Sequence, residues 1–225
     1  PSVQGALEDA VEKLTGTRSD VVGAGRTDSG VHATGQVAHV DIEKPFDPFR
    51  LSEAINAHLR PHPISVLKAE SADPGFHARF DAVRRYYSYL VINRRAPLAL
   101  QRGHAWRVGP RLDGDAMQRA ADKLIGKHDF TTFRDGKCQA KSPIKTLDEV
   151  EVNFWDPLEE IEFIFVAQSF LHRQVRSIVG TLVEVGLGKM TADEVAVALA
   201  AKDRVHCGPV APPDGLCLTR VDYAK

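Results

Sequence analysis

The sequence has little cysteine and no long apolar run, and both absences narrow the classes of protein it can encode. Only 3 cysteines occur among its 225 residues, and no two of them have the spacing Cys-x-x-Cys. This usage favours neither a zinc site nor a disulfide framework, and it is typical of a protein of the reducing cytoplasm. No run of about twenty apolar residues predicts a membrane span, and no signal-peptide pattern opens the chain.

The sequence also lacks a large net charge, but its basic residues are segregated. The whole chain carries a net charge of -1, whereas residues 79–111 contain eight arginines against the single acid Asp81. Aromatic residues lie in the same segment: Tyr86, Tyr87, Tyr89 and Trp106. Because RNA binding needs local neutralisation of phosphates and faces for base stacking, the segment predicts an RNA-binding surface. The alternative is an ordinary solvated surface whose acids come from elsewhere in the fold.

A short polar loop after an apolar run is the strongest candidate for an active site. Residues 24–33 read Ala-Gly-Arg-Thr-Asp-Ser-Gly-Val-His-Ala. The two glycines allow backbone angles closed to other residues, so the loop can present Asp28 at the end of a sheet. Arg26, two residues earlier, would keep that carboxylate ionised and oriented. The same residue types also form ordinary turns, so local chemistry leaves both interpretations open.

Hydrophobic periodicity predicts a mixture of helices and antiparallel strands, which indicates an α+β fold. The expected helices cover residues 2–14, 48–59, 113–125, 171–186 and a last one to about 202 that begins at the capping box of Thr191 and Glu194. The expected strands cover residues 20–24, 37–42, 64–69, 85–92, 147–154, 160–168 and 216–221. Alternation in the fourth strand puts Tyr86 on one face and Tyr87 and Tyr89 on the other.

Five motifs, in order, resemble those of the bacterial tRNA pseudouridine synthase A family. They are Ala24 to Gln36, Phe76 to Phe80 with Arg84 to Tyr89, Gly126 to Phe133, Val175 to Leu182, and Gly215 to Leu218. Together they span nearly the whole chain. Family members begin with a strand and loop reading roughly Glu-Tyr-Asp-Gly-x-x-Phe-x-Gly-Trp-Gln, whereas this chain opens at Pro1. We therefore expect one strand of the first sheet and part of the RNA surface to lie outside this sequence.

The resemblance implies an architecture and an activity. It implies two related α+β halves, of ferredoxin or RNP type, that form one extended antiparallel sheet with a central cleft. We place the halves at residues 1–75, with the Asp28 loop, and 76–225, with the tyrosine and arginine motifs. The implied enzyme is a cytoplasmic homodimer that isomerises uridine to pseudouridine at positions 38, 39 and/or 40 of the tRNA anticodon stem-loop. It needs no cofactor and no metal, and one tRNA bridges two subunits.

The resemblance also assigns residues to roles. Asp28 matches the catalytic aspartate, and its role stays open between nucleophile at C1′ or C6 of the nucleotide and base on the sugar. Arg176 matches the cation that pairs with it, although spacing alone predicts only a surface arginine. Tyr86, the first tyrosine of the Arg-Arg-Tyr motif, matches the residue that packs on the base and helps to remove the C5 proton. The predicted RNA contacts are Arg26, which fills the gap left by the flipped nucleotide, with His32, Arg79, Arg84 and Arg85.

Two other classes of function fit parts of the sequence. A glycosylase using Asp28 with His32 would release the free base instead of joining it to carbon. A catalytically silent RNA-binding module would use the basic segment alone. Neither class accounts for five ordered motifs.

Overall fold

The computed structural model describes residues 2–155 and 159–224, which fall into two compact units. The first unit contains the stretch up to Arg26 and Gln36–Ala82, and the second contains Thr27–Gly35 and Val83–Tyr223. Helices are combined with a mainly antiparallel sheet, which confirms the predicted α+β class. The domain boundary predicted near residue 75 stays a prediction. No helix in the described ranges is long and apolar enough to cross a membrane.

The elements are numbered in chain order. The α-helices are α1 (Val3–Thr15), α2 (Pro48–Leu59), α3 (Gly114–Asp122), α4 (Gln174–Gly186) and α5 (Ala192–Ala201). The strands are β1 (Val22–Gly23), β2 (His32–Ala33), β3 (Ala38–His39), β4 (Ala82–Ile92), β5 (Trp106–Arg107), β6 (Gly126–Asp129), β7 (Ile144–Trp155), β8 (Glu160–Ala167) and β9 (Leu216–Tyr223). Short 3₁₀ turns cover Thr131–Phe133, Arg204–His206 and Pro213–Gly215.

The first unit packs two capped helices beside a small sheet. The Ser2 side chain accepts a hydrogen bond from the backbone of the first turn of α1, and Asp47 does the same for α2, which has Pro48 at its first position. Ala10 and Val11 of α1 pack against Ile55 and Leu59 of α2 in a buried apolar cluster. Strands β1 and β3 pair antiparallel next to them. The helices predicted over residues 2–14 and 48–59 are confirmed within one residue.

The strand predicted over residues 64–69 is wrong. The described chain there has no strand pairing, although Ile64 and Val66 contact the apolar cluster as a strand would. The Asn56 side chain supplies the bonds that a neighbouring strand would make. Its amide nitrogen donates to the Val66 carbonyl at 2.8 Å, and its oxygen accepts from the Val66 N–H at 2.7 Å. A helix side chain thus satisfies this backbone in place of a sheet ladder.

The second unit is built on a seven-stranded sheet with the order β2-β9-β4-β8-β7-β6, and β5 pairs with β4. Strands β4, β7 and β8 form a long antiparallel ladder, in which Tyr86 lies opposite Val166. The two shortest strands make parallel pairs, β2 with β9 and β5 with β4, so the sheet is mixed. The predicted alternation in β4 is confirmed, because Tyr87 and Tyr89 are buried and Tyr86 is half-buried.

Helix α4 is the central helix of the second unit. Most of its residues are buried in an apolar cluster that includes sheet residues, and it packs against α3. It begins at Gln174 and not at residue 171, because the three residues before it form a separate turn. At Gly180 the helix touches another segment so closely that an added Cβ would lie 1.7 Å from the Pro209 carbonyl oxygen. Helix α5 begins at the predicted capping box of Thr191 and Glu194.

Candidate active site

The Asp28 loop is held by a tight turn and by the pairing of the strand that follows it. The Val31 N–H donates to the Asp28 carbonyl at 3.1 Å, and Gly30 closes this turn with a φ of 83°. Beyond the turn, β2 pairs with β9, and the backbone N–H of Gly35 donates to the Leu218 carbonyl at 3.1 Å. A Cβ at Gly35 would lie 2.0 Å from a backbone oxygen of β9, so only glycine fits there. The loop is thereby held against β9.

A tight turn before α4 presents the second half of the site. The Gln174 side-chain oxygen accepts from the Leu171 N–H at 2.8 Å, and the Gln174 N–H donates to the Leu171 carbonyl at 3.0 Å. Between them Arg173 adopts a left-handed conformation, with a φ of 60°. Such a conformation costs a non-glycine residue about 1–2 kcal/mol, so the surrounding contacts must hold it. The turn directs His172, Arg173 and Arg176 toward one carboxylate.

Asp28 and Arg176 form an ion pair. Arg176 Nη1 lies 2.6 Å from Asp28 Oδ2, and the two side chains are 11% and 23% exposed. Arg176 Nε also donates to the Ala211 carbonyl at 2.8 Å, and the Ala211 N–H donates back to the Arg176 carbonyl at 3.0 Å. Because the guanidinium is fixed by backbone on one side, it meets the carboxylate in a defined orientation. The contact expected between these two residues is present, and their catalytic roles stay a proposal.

His172 is a site residue that the sequence did not single out. Its Nε2 lies 3.0 Å from Asp28 Oδ1, and its Nδ1 lies 3.5 Å from Oδ1 of a second acid, Asp135. Arg173 also joins the two carboxylates, with Nη1 at 3.0 Å from Asp135 and Nε at 3.7 Å from Asp28. The only sequence signal was a histidine one and four residues before two arginines, in Leu-His-Arg-Gln-Val-Arg. Nothing in its spacing indicated a carboxylate partner.

Asp135 is ionised for local reasons. The backbone N–H of Lys137 lowers the pKa of Asp135, burial opposes this, and the positive charge of Arg173 lowers it further. The site therefore combines two carboxylates with two arginines and an imidazole. No group of three or more His, Cys, Asp or Glu in the described part of the chain is arranged to hold a metal ion.

The two neighbouring tyrosines of β4 face different surroundings. The Tyr86 hydroxyl donates to Asp222 at 2.9 Å, and Arg220 lies 5.0 Å above its ring. Tyr87 is buried, and its ring meets Phe170 edge-on at 5.2 Å. Burial raises the pKa of Tyr87 to about 12; the Arg85 charge opposes the shift and the Asp28 carboxylate adds to it. The two tyrosines thus lie on opposite faces of β4, with Tyr86 half-buried and Tyr87 in the core.

The predicted RNA contacts differ in their exposure. Arg26 and Arg79 are exposed in the first unit, and Arg84 is exposed in the second, 3.7 Å from Asp148. Arg85 is only 7% exposed, and its guanidinium donates to the Gln168 carbonyl, so its side chain is not presented to a ligand on the surface.

His32 makes a structural bond. Its Nε2 lies 2.7 Å from the Gly103 carbonyl, and its ring stacks on His104 at 4.5 Å. The carboxylate of Asp28 meets His172 instead. The pairing of Asp28 with His32 that a glycosylase would use is not found among the contacts of His32 described here.

Comparison with known proteins identifies the family. The sequence profile described as tRNA pseudouridine synthase matches residues 1–81 and 120–224. The chain belongs to the tRNA pseudouridine synthase family. A tRNA pseudouridine synthase A from Bradyrhizobium diazoefficiens is 63% identical over 99% of this chain and 90% of its own length. Proteins of the same name from Parvibaculum lavamentivorans and Maricaulis maris are 57% and 56% identical, each over 99% of this chain and 89% of their own.

Family membership gives the reaction class, which is isomerisation of uridine in tRNA. This reaction breaks the bond from N1 to C1′, forms a bond from C5 to C1′ and moves the C5 proton, with no change of redox state. It requires an ionised carboxylate that is shielded from water and held by cations. The cluster around Asp28 has this composition.

Proposed function

We propose that this chain converts uridine to pseudouridine at positions 38, 39 and/or 40 of the tRNA anticodon stem-loop, with Asp28 as the catalytic carboxylate. The observation that carries the proposal is the Asp28 carboxylate, three-quarters buried and bound on separate oxygens by Arg176 and His172. Burial strengthens the field of both partners, and the remaining exposure leaves a path to the substrate. Asp28 acts either as nucleophile at C1′ or C6 or as a base on the sugar.

Arg176 supports this role by offsetting the cost of a charged group away from water. Its bond to the Ala211 carbonyl fixes the guanidinium before substrate arrives, so no reorganisation is needed during the reaction. The carboxylate is thus oriented in advance, which is the main contribution a protein can make to a reaction that needs no cofactor.

The tyrosine of the site needs a choice between neighbours. The sequence motif favours Tyr86, which is half-buried and whose hydroxyl donates to Asp222 at 2.9 Å. Tyr87 is buried and packs edge-on against Phe170. We propose Tyr86 for the position beside the target base. Burial raises the pKa of Tyr87 to about 12, so its hydroxyl is protonated at neutral pH, and we assign Tyr87 to the core.

The exposed arginines supply the RNA contacts in this proposal. A uridine in a stem must be flipped out at a cost of a few kcal/mol, and Arg26, next to the catalytic loop in sequence, is suited to brace the gap. Arg79 and Arg84 are exposed and are assigned to phosphate contacts, Arg84 beside Asp148 at 3.7 Å, while Arg85 is left out because it is buried. His32 is kept only as a support of the loop. The enzyme works as a homodimer in the cytoplasm, with one tRNA contacting both subunits.

Tritium release from tRNA labelled at uracil C5 tests the activity, because only bond formation at C5 displaces that hydrogen. The chain is expected to release tritium, and mapping of the product by carbodiimide modification and primer extension is expected to give positions 38 to 40. Free uracil as the product would point to a glycosylase, and tRNA binding without release would point to a silent RNA-binding module.

The Asp28→Asn variant tests the assigned carboxylate. It is expected to keep tRNA binding and lose turnover, since the amide preserves shape but not charge. Asp20→Asn is a matched control, because it makes the same chemical change at an exposed position outside the site. Substantial turnover by Asp28→Asn would remove Asp28 from its role.

A further inference from the structure

The two oxygens of Asp28 are bound unequally. Oδ2 accepts from Arg176 at 2.6 Å and also faces Arg173 at 3.7 Å. Oδ1 has one described partner, the His172 ring at 3.0 Å. A carboxylate oxygen has two lone-pair sites, so Oδ1 keeps more capacity for a further contact than Oδ2 does.

The backbone of His172 is fixed on both sides. Its N–H donates to the Cys138 sulfur at 3.4 Å, and its carbonyl accepts from the Asp135 N–H at 3.2 Å. Only the side-chain torsions of His172 are therefore free to vary. The ring is held between Asp28 and Asp135, with one nitrogen toward each.

We infer that His172 is a positioning residue for Asp28, that Asp135 orients the His172 ring, and that Oδ1 is the oxygen of Asp28 that reacts. This inference rests on the proposed function of Asp28. Two donors on different oxygens fix the plane of a carboxylate, whereas Arg176 alone would leave it free to turn about its Cβ–Cγ bond. Asp135 acts one step back: its carboxylate faces Nδ1 at 3.5 Å and favours the ring orientation in which the Nε2–H donates to Oδ1.

Single-turnover tritium release by the full chain tests the positioning role. His172→Ala is expected to slow release about 10- to 100-fold, as for loss of near-attack geometry, with the Kd for tRNA close to that of the parent and cooperative unfolding retained. His172→Gln is expected to recover most of the rate, because its amide nitrogen can donate to Oδ1. His58→Ala, at an exposed helix position, is the control. An unchanged rate in His172→Ala, or a glutamine variant as slow as alanine, would overturn the inference.

A double-mutant cycle of Asp135 and His172 tests how the His172 ring is oriented. Asp135→Asn is expected to slow release in the parent but to add less than twofold in the His172→Ala background, since it acts through the ring. Additive losses would show that Asp135 works through Arg173 instead and would overturn its assigned role.

Imidazole ¹⁵N resonances give a readout that does not depend on activity. The Nε2 resonance of His172 is expected to move in Asp28→Asn, and the Nδ1 resonance in Asp135→Asn, with neither moving in Asp20→Asn. Moved resonances in a chain that releases no tritium would mean that the proposed function fails while the contacts stand. Unmoved resonances would overturn the inference whatever the activity.

Discussion

The ion pair between Asp28 and Arg176 is expected to give a measurable coupling energy in the free energy of unfolding. Arg176 makes two bonds with its guanidinium, to Asp28 at 2.6 Å and to the Ala211 carbonyl at 2.8 Å. Bonds to charged groups contribute about 1.5–3 kcal/mol each, and the lower figure applies here because Asp28 is partly solvated and keeps its His172 bond. Arg176→Gln is therefore expected to lower the free energy of unfolding by about 3 kcal/mol, half of it through Asp28.

The Asp28→Asn background separates the two bonds. There Arg176→Gln is expected to cost only about 1.5 kcal/mol, because the Ala211 bond is all that remains to be lost. The coupling energy is the difference, about 1.5 kcal/mol, which lies in the range measured for contacting charged residues. Urea denaturation followed by tryptophan fluorescence measures all four members of the cycle.

The rate of tritium release gives a second measure of the same contact. If the orientation of Asp28 is needed in the transition state, a loss of about 1.5 kcal/mol corresponds to a rate of tritium release about tenfold lower. Arg119→Gln, on the exposed side of α3, is the control and is expected to change stability by less than about 0.5 kcal/mol. A coupling energy below about 0.5 kcal/mol would mean that the two residues act independently in solution and would refute the reasoning.

Three further predictions follow from the second unit. Tyr86→Phe is expected to slow tritium release more than Tyr87→Phe, and the reverse order would remove Tyr86 from the position beside the base. Gly35→Ala is expected to lower the free energy of unfolding by about 3 kcal/mol or more in urea, because its Cβ would overlap the Thr219 carbonyl; a change within 0.5 kcal/mol would contradict the close approach. The lowered pKa of Asp135 means that its ionised form stabilises the fold above its unfolded pKa of about 3.9 and that this stabilisation is lost as the pH falls through the lower folded value. Asp135→Asn should therefore flatten the acid limb of a stability-against-pH curve, and an unchanged limb would exclude this contribution.

Local patterns predicted the helices better than the irregular segments. Helices α1 and α2 follow directly from apolar spacing and from capping residues within the same stretch of chain. The failure at residues 64–69 has a nonlocal cause, since the partner of Val66 is a side chain of α2. The early start predicted for α4 has a different cause: a left-handed residue, Arg173, separates the turn from the helix.

Some residues of the site could be predicted from sequence motifs, and others depend on contacts between distant segments. The motif resemblance correctly brought Asp28 and Arg176 together across 148 positions of sequence. Alternation in β4 correctly separated half-buried Tyr86 from buried Tyr87, because the two faces of a strand follow a local period of two. His172 was missed because its importance depends on two acids that only folding places beside it.

The parallel pairing of β2 with β9 also has a consequence for synthesis of the protein. The loop that carries Asp28 is translated before Arg176, and both are translated before their supporting strand, Leu216–Tyr223. Asp28 therefore gains its ion pair and its sheet support only after these distant segments have been made. A nascent chain that stops short of β9 carries the carboxylate without the strand that holds its loop.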